Sequence, residues 1–168
     1  LSLVVIALLT GIAQGVQPLL SHAYGRNAQS DIRQLMRYLI VTVLTLSVAI
    51  YALFIFCDTP VVAAFNSAQD AALQSIAEDG LRLYFLAIPF AGCNIALSFF
   101  FTSIGRALPA HCISLLRGLV LIVPMAFALS ALFALTGVWL TFPVTELLVT
   151  VCGVVLYWRS MRTTKPVR

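Results

Sequence analysis

The chain has 168 residues, 61% of them hydrophobic and 10% charged, with a formal net charge of +4 and a mean hydropathy of +1.03. Soluble domains are about 45–50% apolar and about 25% charged, so one small core would not hide this much apolar surface. Composition excludes an ordinary soluble domain and points to an all-α, polytopic membrane protein.

A helix crossing ~30 Å of hydrocarbon needs about 20 apolar residues. Five segments meet that requirement: 1–20, 38–57, 83–104, 113–135 and 138–158, followed by a tail over 159–168. The first ends in "GIAQGVQPLLSHAYGR", Gly11 to Arg26. Gly11 and Gly15 form G-x-x-x-G, a spacing that lets helices approach closely, and Pro18 frees a backbone carbonyl. Gln14, Gln17 and Ser21 lie near one another at helical spacing. Amides are costly in hydrocarbon, so Gln14 and Gln17 are candidates to face a cavity. Next, "NAQSDIRQLMRY" offers Ser30 as the N-cap of a short interfacial helix.

The second span carries no charge between Arg37 and Asp58. After it, "SAQDAALQSIAEDG" offers Ser67 with Asp70 three residues on, a capping pattern for a second interfacial helix. The third span runs between Arg82 and Arg106 and bears a stripe of Ala87, Ala91, Asn94, Ser98 and Thr102 at intervals of three or four. Small residues there suit helix packing, whereas Asn94 and Ser98 are cavity candidates. Pro89 in this span and Pro124 in the fourth are expected to break helical hydrogen bonding.

From Arg117 to Arg159 the one charged residue is Glu146. That stretch suits two spans, broken at Leu135–Trp139, where Gly137 ends a helix and Trp139 favours the interface. Glu146 is then the one acidic residue inside a span, a functional candidate by default. If the last helix instead starts at Pro143, Glu146 is a first-turn carboxylate favoured by the helix dipole.

These spans sort the charges. Nine of the ten basic residues, Arg117 among them, fall on one side; Asp58, Asp70, Glu78 and Asp79 fall on the other with Arg82. The basic side, which includes the C-terminus, is expected to be cytoplasmic. Basic residues that flank helices singly or in pairs form no nucleic-acid surface. No H-E-x-x-H, G-x-S-x-G or phosphate-cradling loop is present, so no catalytic residue, metal site or cofactor is expected. Cys57, Cys93, Cys112 and Cys152 lie far apart and are expected to be small packing residues. His22 and His111 are expected to be interfacial polar residues, with a proton relay as the alternative. The chain opens Leu1-Ser2-Leu3 without a methionine, which is expected of a fragment.

"GIAQGVQPLLSHAYGR" resembles the G-x-x-x-G-x-Q-P-L-x-S/G-x-x-Y-G signature of the multidrug and toxic compound extrusion (MATE) family, matched by Gly11, Gly15, Pro18, Tyr24 and Gly25. The resemblance continues through "TSIGRALPAHCISLLRGLVLIVP", with Gly105 and Arg117, and through "LTGVWLTFPVTELL", with Gly137, Trp139 and Pro143. It implies a twelve-helix antiporter of two six-helix lobes in the plasma (inner) membrane, exporting drugs or organic cations in exchange for protons or sodium ions. The five spans would be the eighth to twelfth helices, most of the C-terminal lobe. The partners implied are the lipid bilayer, small-molecule drugs, the N-terminal lobe and the seventh helix. The family's carboxylate on the tenth helix has no acidic counterpart here, and Asn94 is the nearest polar residue. Two alternatives are a lipid-linked oligosaccharide flippase of related architecture and a non-transporting remnant. With Arg117 counted among the flanking charges, the lack of Arg or Lys inside a predicted span counts against the flippase.

Overall fold

A computed structural model describes residues 1–66 and 69–163. Among them the chain forms helices α1 (Ser2–Gly25), α2 (Gln29–Phe56), α3 (Asp58–Ala63), α4 (Ala71–Phe85), α5 (Ile88–Ser103), α6 (Ala107–Leu115) and α7 (Ile122–Thr163). A π-helical turn, Leu116–Val120, joins α6 to α7. Four stretches are long and apolar enough to cross a membrane: Ser2–Gly25, Gln29–Phe56, Ala71–Ser103 and Ala107–Arg162. The last has 56 residues, which would extend about 84 Å as a straight helix. It does not run straight. Backbone angles of φ 50° and ψ −127° at Ala134 fold α7 back on itself, so the bundle has five passes.

The central helix is α5, which packs on α1, α2, α6 and α7. Its small residues Ala91, Gly92 and Ala96 are buried together with Ile95, Leu97, Phe100 and Phe101. The neighbours present single apolar stripes to it, Val5, Leu9 and Ala13 on α1 and Ile32, Met36, Leu39 and Val43 on α2. Both repeats follow the helical period of a one-sided core face. The remaining faces carry exposed Leu, Val and Phe, as expected of helices whose outer surface meets lipid.

Several local expectations are corrected. Ser30 caps nothing: α2 already begins at Gln29 after Ala28, and its basic first turns are continuous with the span. Ser67 lies outside the described residues, as do Lys165 and Arg168 of the tail. Asp70 itself caps α4, its side chain accepting from the amides of Ala72 (2.8 Å) and Leu73 (3.3 Å). The third span is interrupted as expected at Pro89, which sits in the first turn of α5 just after the break at Leu86–Ala87 that separates α4 from α5. The break between the last two passes falls at Ala134, one residue before the expected Leu135–Trp139. No cysteine is fully buried; Cys57 and Cys93 are half-buried, and Cys112 and Cys152 are exposed.

One end of the bundle collects Arg26, Arg33, Arg37, Arg106, Arg159 and Arg162. Hydrogen bonds tie it together: Ser21 Oγ donates to the Ser103 carbonyl (3.2 Å) and Arg106 donates to Ser160 Oγ (2.9 Å). The other end holds α3 and α4, where Arg82 pairs with Asp58 and Tyr84 stacks on Phe142 at 4.7 Å.

Candidate functional site

The candidate residues divide into two places. On α1, the buried face is Val5, Leu9, Ala13, Leu20 and Ala23. Gly11, Gln14, Gly15 and Pro18 lie exposed on the opposite face, with Gln17 half-buried beside them. A Cβ added at Gly11 or Gly15 would meet nothing within 4 Å, so the expected close packing is not made by any described helix. Tyr24 and Gly25 complete the last turn of α1. The left-handed residue that ends the helix is Asn27 (φ 57°), not Gly25. The Asn27 and Ala28 amides bond back to the Tyr24 and Ala23 carbonyls, the pattern of a Schellman cap. Gly105 (φ 70°) takes the equivalent place after α5.

The second place lies inside the bundle. Asn94 and Glu146 are 0% and 1% exposed. Asn94 Nδ2 donates to Glu146 Oε2 at 2.6 Å and to the Glu146 carbonyl at 3.0 Å. Arg117 completes the cluster, its Nη2 and Nε donating to Glu146 Oε1 at 2.7 Å and 3.0 Å. Both carboxylate oxygens are thereby bonded, the condition under which a buried charge is tolerated. Thr150 Oγ1 bridges the Glu146 and Phe90 carbonyls (2.8 and 3.2 Å), holding α7 to the start of α5. Asn94 Oδ1 and Thr145 Oγ1 are buried without a hydrogen-bond partner among the described residues.

Three backbone features assemble this cluster. The π turn carries Arg117, and its Leu116 carbonyl accepts from the Leu121 amide at 3.0 Å, five residues on. Pro124 follows directly; with no N–H it leaves the Val120 carbonyl without its helical donor. The fold-back at Ala134 brings the second arm, residues 135–163, alongside. Gly137 allows that return because any Cβ there would collide with the Leu129 carbonyl of the first arm. Further along, Gly153 admits Leu97, whose Cδ1 would lie 2.9 Å from a Cβ at that site. Trp139 packs on Gly80 of α4, and Pro143 is buried within the arm.

The arm is already helical before Pro143, so Glu146 is an interior residue and not a first-turn carboxylate. Arg117 is the residue that sequence reasoning misplaced among the flanking charges. It is the second residue of the π turn, about 15 Å beyond the start of α6, and lies inside the expected fourth span, 113–135. An arginine inside a span removes the ground for setting the flippase aside, although this arginine already has a carboxylate partner. A lone buried Glu needs a cation, but nothing along the chain shows that Arg117 is the one that faces it. Ser98 is half-buried and its carbonyl accepts from the exposed Thr102 hydroxyl at 2.9 Å. His22 and His111 are exposed, the latter 2.6 Å from the Ala107 carbonyl.

Comparison with known proteins places this geometry. The MatE family model matches residues 1–128. The fold is similar to an outward-facing multidrug resistance MATE family transporter of the MOP superfamily, at 18% identity and a TM-score of 0.88 over 96% of this chain and 36% of that one. An inward-facing structure of such a transporter gives 18% identity and a TM-score of 0.89 over 97% and 39%. The bent form of the Vibrio cholerae MATE transporter VcmN gives 17% and 0.86 over 95% and 36%. The chain thus spans somewhat more than a third of the length of these transporters. No curated protein matches it. With the family model covering most of the chain, this is a member of the MatE family of membrane transporters.

Proposed function

We propose that the chain is the greater part of the C-terminal lobe, helices eight to twelve, of a secondary antiporter that exports drugs or organic cations in exchange for protons or sodium ions. The observation that carries the reading is the family match over residues 1–128, supported by the likeness of the fold to multidrug resistance MATE family transporters. The basic end, with the C-terminus, faces the cytoplasm of a cell bounded by the plasma (inner) membrane, because cationic residues are retained on that side.

Within this reading the two places have different tasks. Gln14 and Gln17, on a face of α1 that no described helix covers, meet the cavity between lobes. Asn94 and Glu146 are buried and bonded to each other and to Arg117, so they fix the lobe's shape. A carboxylate already paired with a guanidinium offers no free charge to a coupling ion. Coupling is then the work of a carboxylate outside this cluster.

Drug accumulation in cells expressing the complete protein tests the proposal, measured with and without sodium and proton gradients. Lowered accumulation that depends on one gradient supports antiport and identifies the ion. Unchanged accumulation of every organic cation tried, at normal membrane expression, overturns it. Gln14→Ala and Gln17→Ala are expected to reduce efflux without lowering thermal stability.

A further inference from the structure

At the basic end, Arg33 of α2 and Tyr157, Trp158, Met161 and Arg162 of α7 line a cleft of about 450 Å³. That volume lies within the range of ~300–1,000 Å³ typical of ligand sites. Tyr157 is fixed in its floor, packed edge-on against Phe100 of α5 with ring centroids 4.9 Å apart. Arg33, Arg162 and Trp158 are exposed at its mouth. Neither Arg33 nor Arg162 has a carboxylate partner among the described residues, and Asp31 is paired with Arg26 at 3.3 Å.

An excess of arginine on one side is accounted for by orientation in the membrane. Orientation does not require two of those arginines, from distant parts of the chain, to converge on one cleft beside a Trp and a Tyr. Arg37, one turn beyond Arg33, is exposed but does not line the cleft. Guanidinium groups donate in a planar fork that fits phosphate oxygens, Trp and Tyr favour the level of lipid headgroups, and Met161 adds an apolar wall.

We propose that this cleft binds the phosphate of an anionic membrane lipid, with Arg33 and Arg162 on the phosphate and Tyr157 and Trp158 beside the glycerol region. The cleft opens where spanning helices leave the hydrocarbon, which favours a lipid over a dissolved phosphate compound. The site would tie the beginning of α2 to the end of α7 through the lipid. The proposal needs the helices to cross a bilayer but does not depend on drug export, and its readout is binding and not transport.

The test is native mass spectrometry of the protein in neutral detergent, titrated with phosphatidylglycerol and with phosphatidylcholine of the same acyl chains. Each arginine near an anionic headgroup contributes about 5-fold, so phosphatidylglycerol should bind about 30-fold more tightly than phosphatidylcholine. Arg33→Gln with Arg162→Gln should bring the two lipids level, and Arg37→Gln should leave the preference unchanged. Equal binding of both lipids by the unaltered protein overturns the proposal, and so does an equal loss in Arg37→Gln. Displacement of phosphatidylglycerol by millimolar glycerol 3-phosphate would reassign the cleft to a soluble phosphate compound. The comparison of lipids on the unaltered protein stands even if a variant folds poorly.

Discussion

Arg117 and Glu146 are 29 residues apart in the chain, yet Arg117 Nη2 lies 2.7 Å from Glu146 Oε1. On one straight helix they would be separated by about 43 Å. Their contact therefore depends on the fold-back at Ala134, and the pair reports that the last two passes have closed against each other. Removing Arg117 leaves the Glu146 charge buried without a partner, which costs about 3–5 kcal/mol, whereas replacing both with apolar residues of similar volume is often neutral. Arg117→Met and Glu146→Met should each lower the melting temperature in detergent, and the double variant should recover most of the loss. Additive losses in the double variant would show that the two groups are not coupled.

The glycines divide by what surrounds them. At Gly92, where α1, α2 and α5 converge, a Cβ would run into Val43 and would lie 3.2 Å from Ser47 Oγ. Gly92→Ala should destabilise by about 1–3 kcal/mol, as overpacked cores do. Gly15 has open space around it, and alanine is the better helix former by up to about 1 kcal/mol. Gly15→Ala should leave thermal stability unchanged or raised. If it also reduces efflux, the α1 face it occupies meets the rest of the transporter.

At the fold-back the local rule is reversed, with alanine in the left-handed conformation and glycine nearby for clearance. Ala134 has φ 50°, where a side chain is strained and glycine is not. Ala134→Gly should therefore stabilise the bend by about 1 kcal/mol. Gly137→Ala, directed at the Leu129 carbonyl, should destabilise by at least as much as Gly92→Ala. Thermal unfolding of the two variants side by side checks the contrast, and a stabilising Gly137→Ala would contradict the close approach.

The passes were legible in the sequence because hydropathy and the sorting of charges depend on composition, which tertiary contacts do not rearrange. Polar residues in apolar runs marked Asn94 and Glu146 for the same reason: hydrocarbon makes an unpaired polar group expensive. What was not legible required knowing how helices fold onto one another. Arg117 was grouped with flanking cations because nothing along the chain announces a π turn or shows that it faces Glu146. Gly11 and Gly15 matched a packing motif, but which face of α1 is covered is decided by the stripe Val5, Leu9 and Ala13. Gly137 was noticed as a helix-ending glycine, while the positive φ fell at Ala134.

At the acidic end, Asp58 opens α3 and pairs with Arg82 of α4. Burial alone would push its carboxyl up, but the Arg82 hydrogen bond, the Thr59 amide at 2.7 Å and the Arg82 charge together hold it below the usual carboxylate range. A group whose folded pKa is depressed contributes stability above its unfolded value, about 3.9 for Asp, and loses it as pH falls through the lower folded value. The unaltered protein should therefore melt above Asp58→Asn at pH 7 by a margin that holds down to about pH 5. That margin should shrink from about pH 4 downward as the folded carboxyl takes up its proton and the pairing with Arg82 is lost. Melting curves of both proteins between pH 7 and pH 3 check this, and a difference that stays constant across the series would rule out an ionised Asp58 as its source.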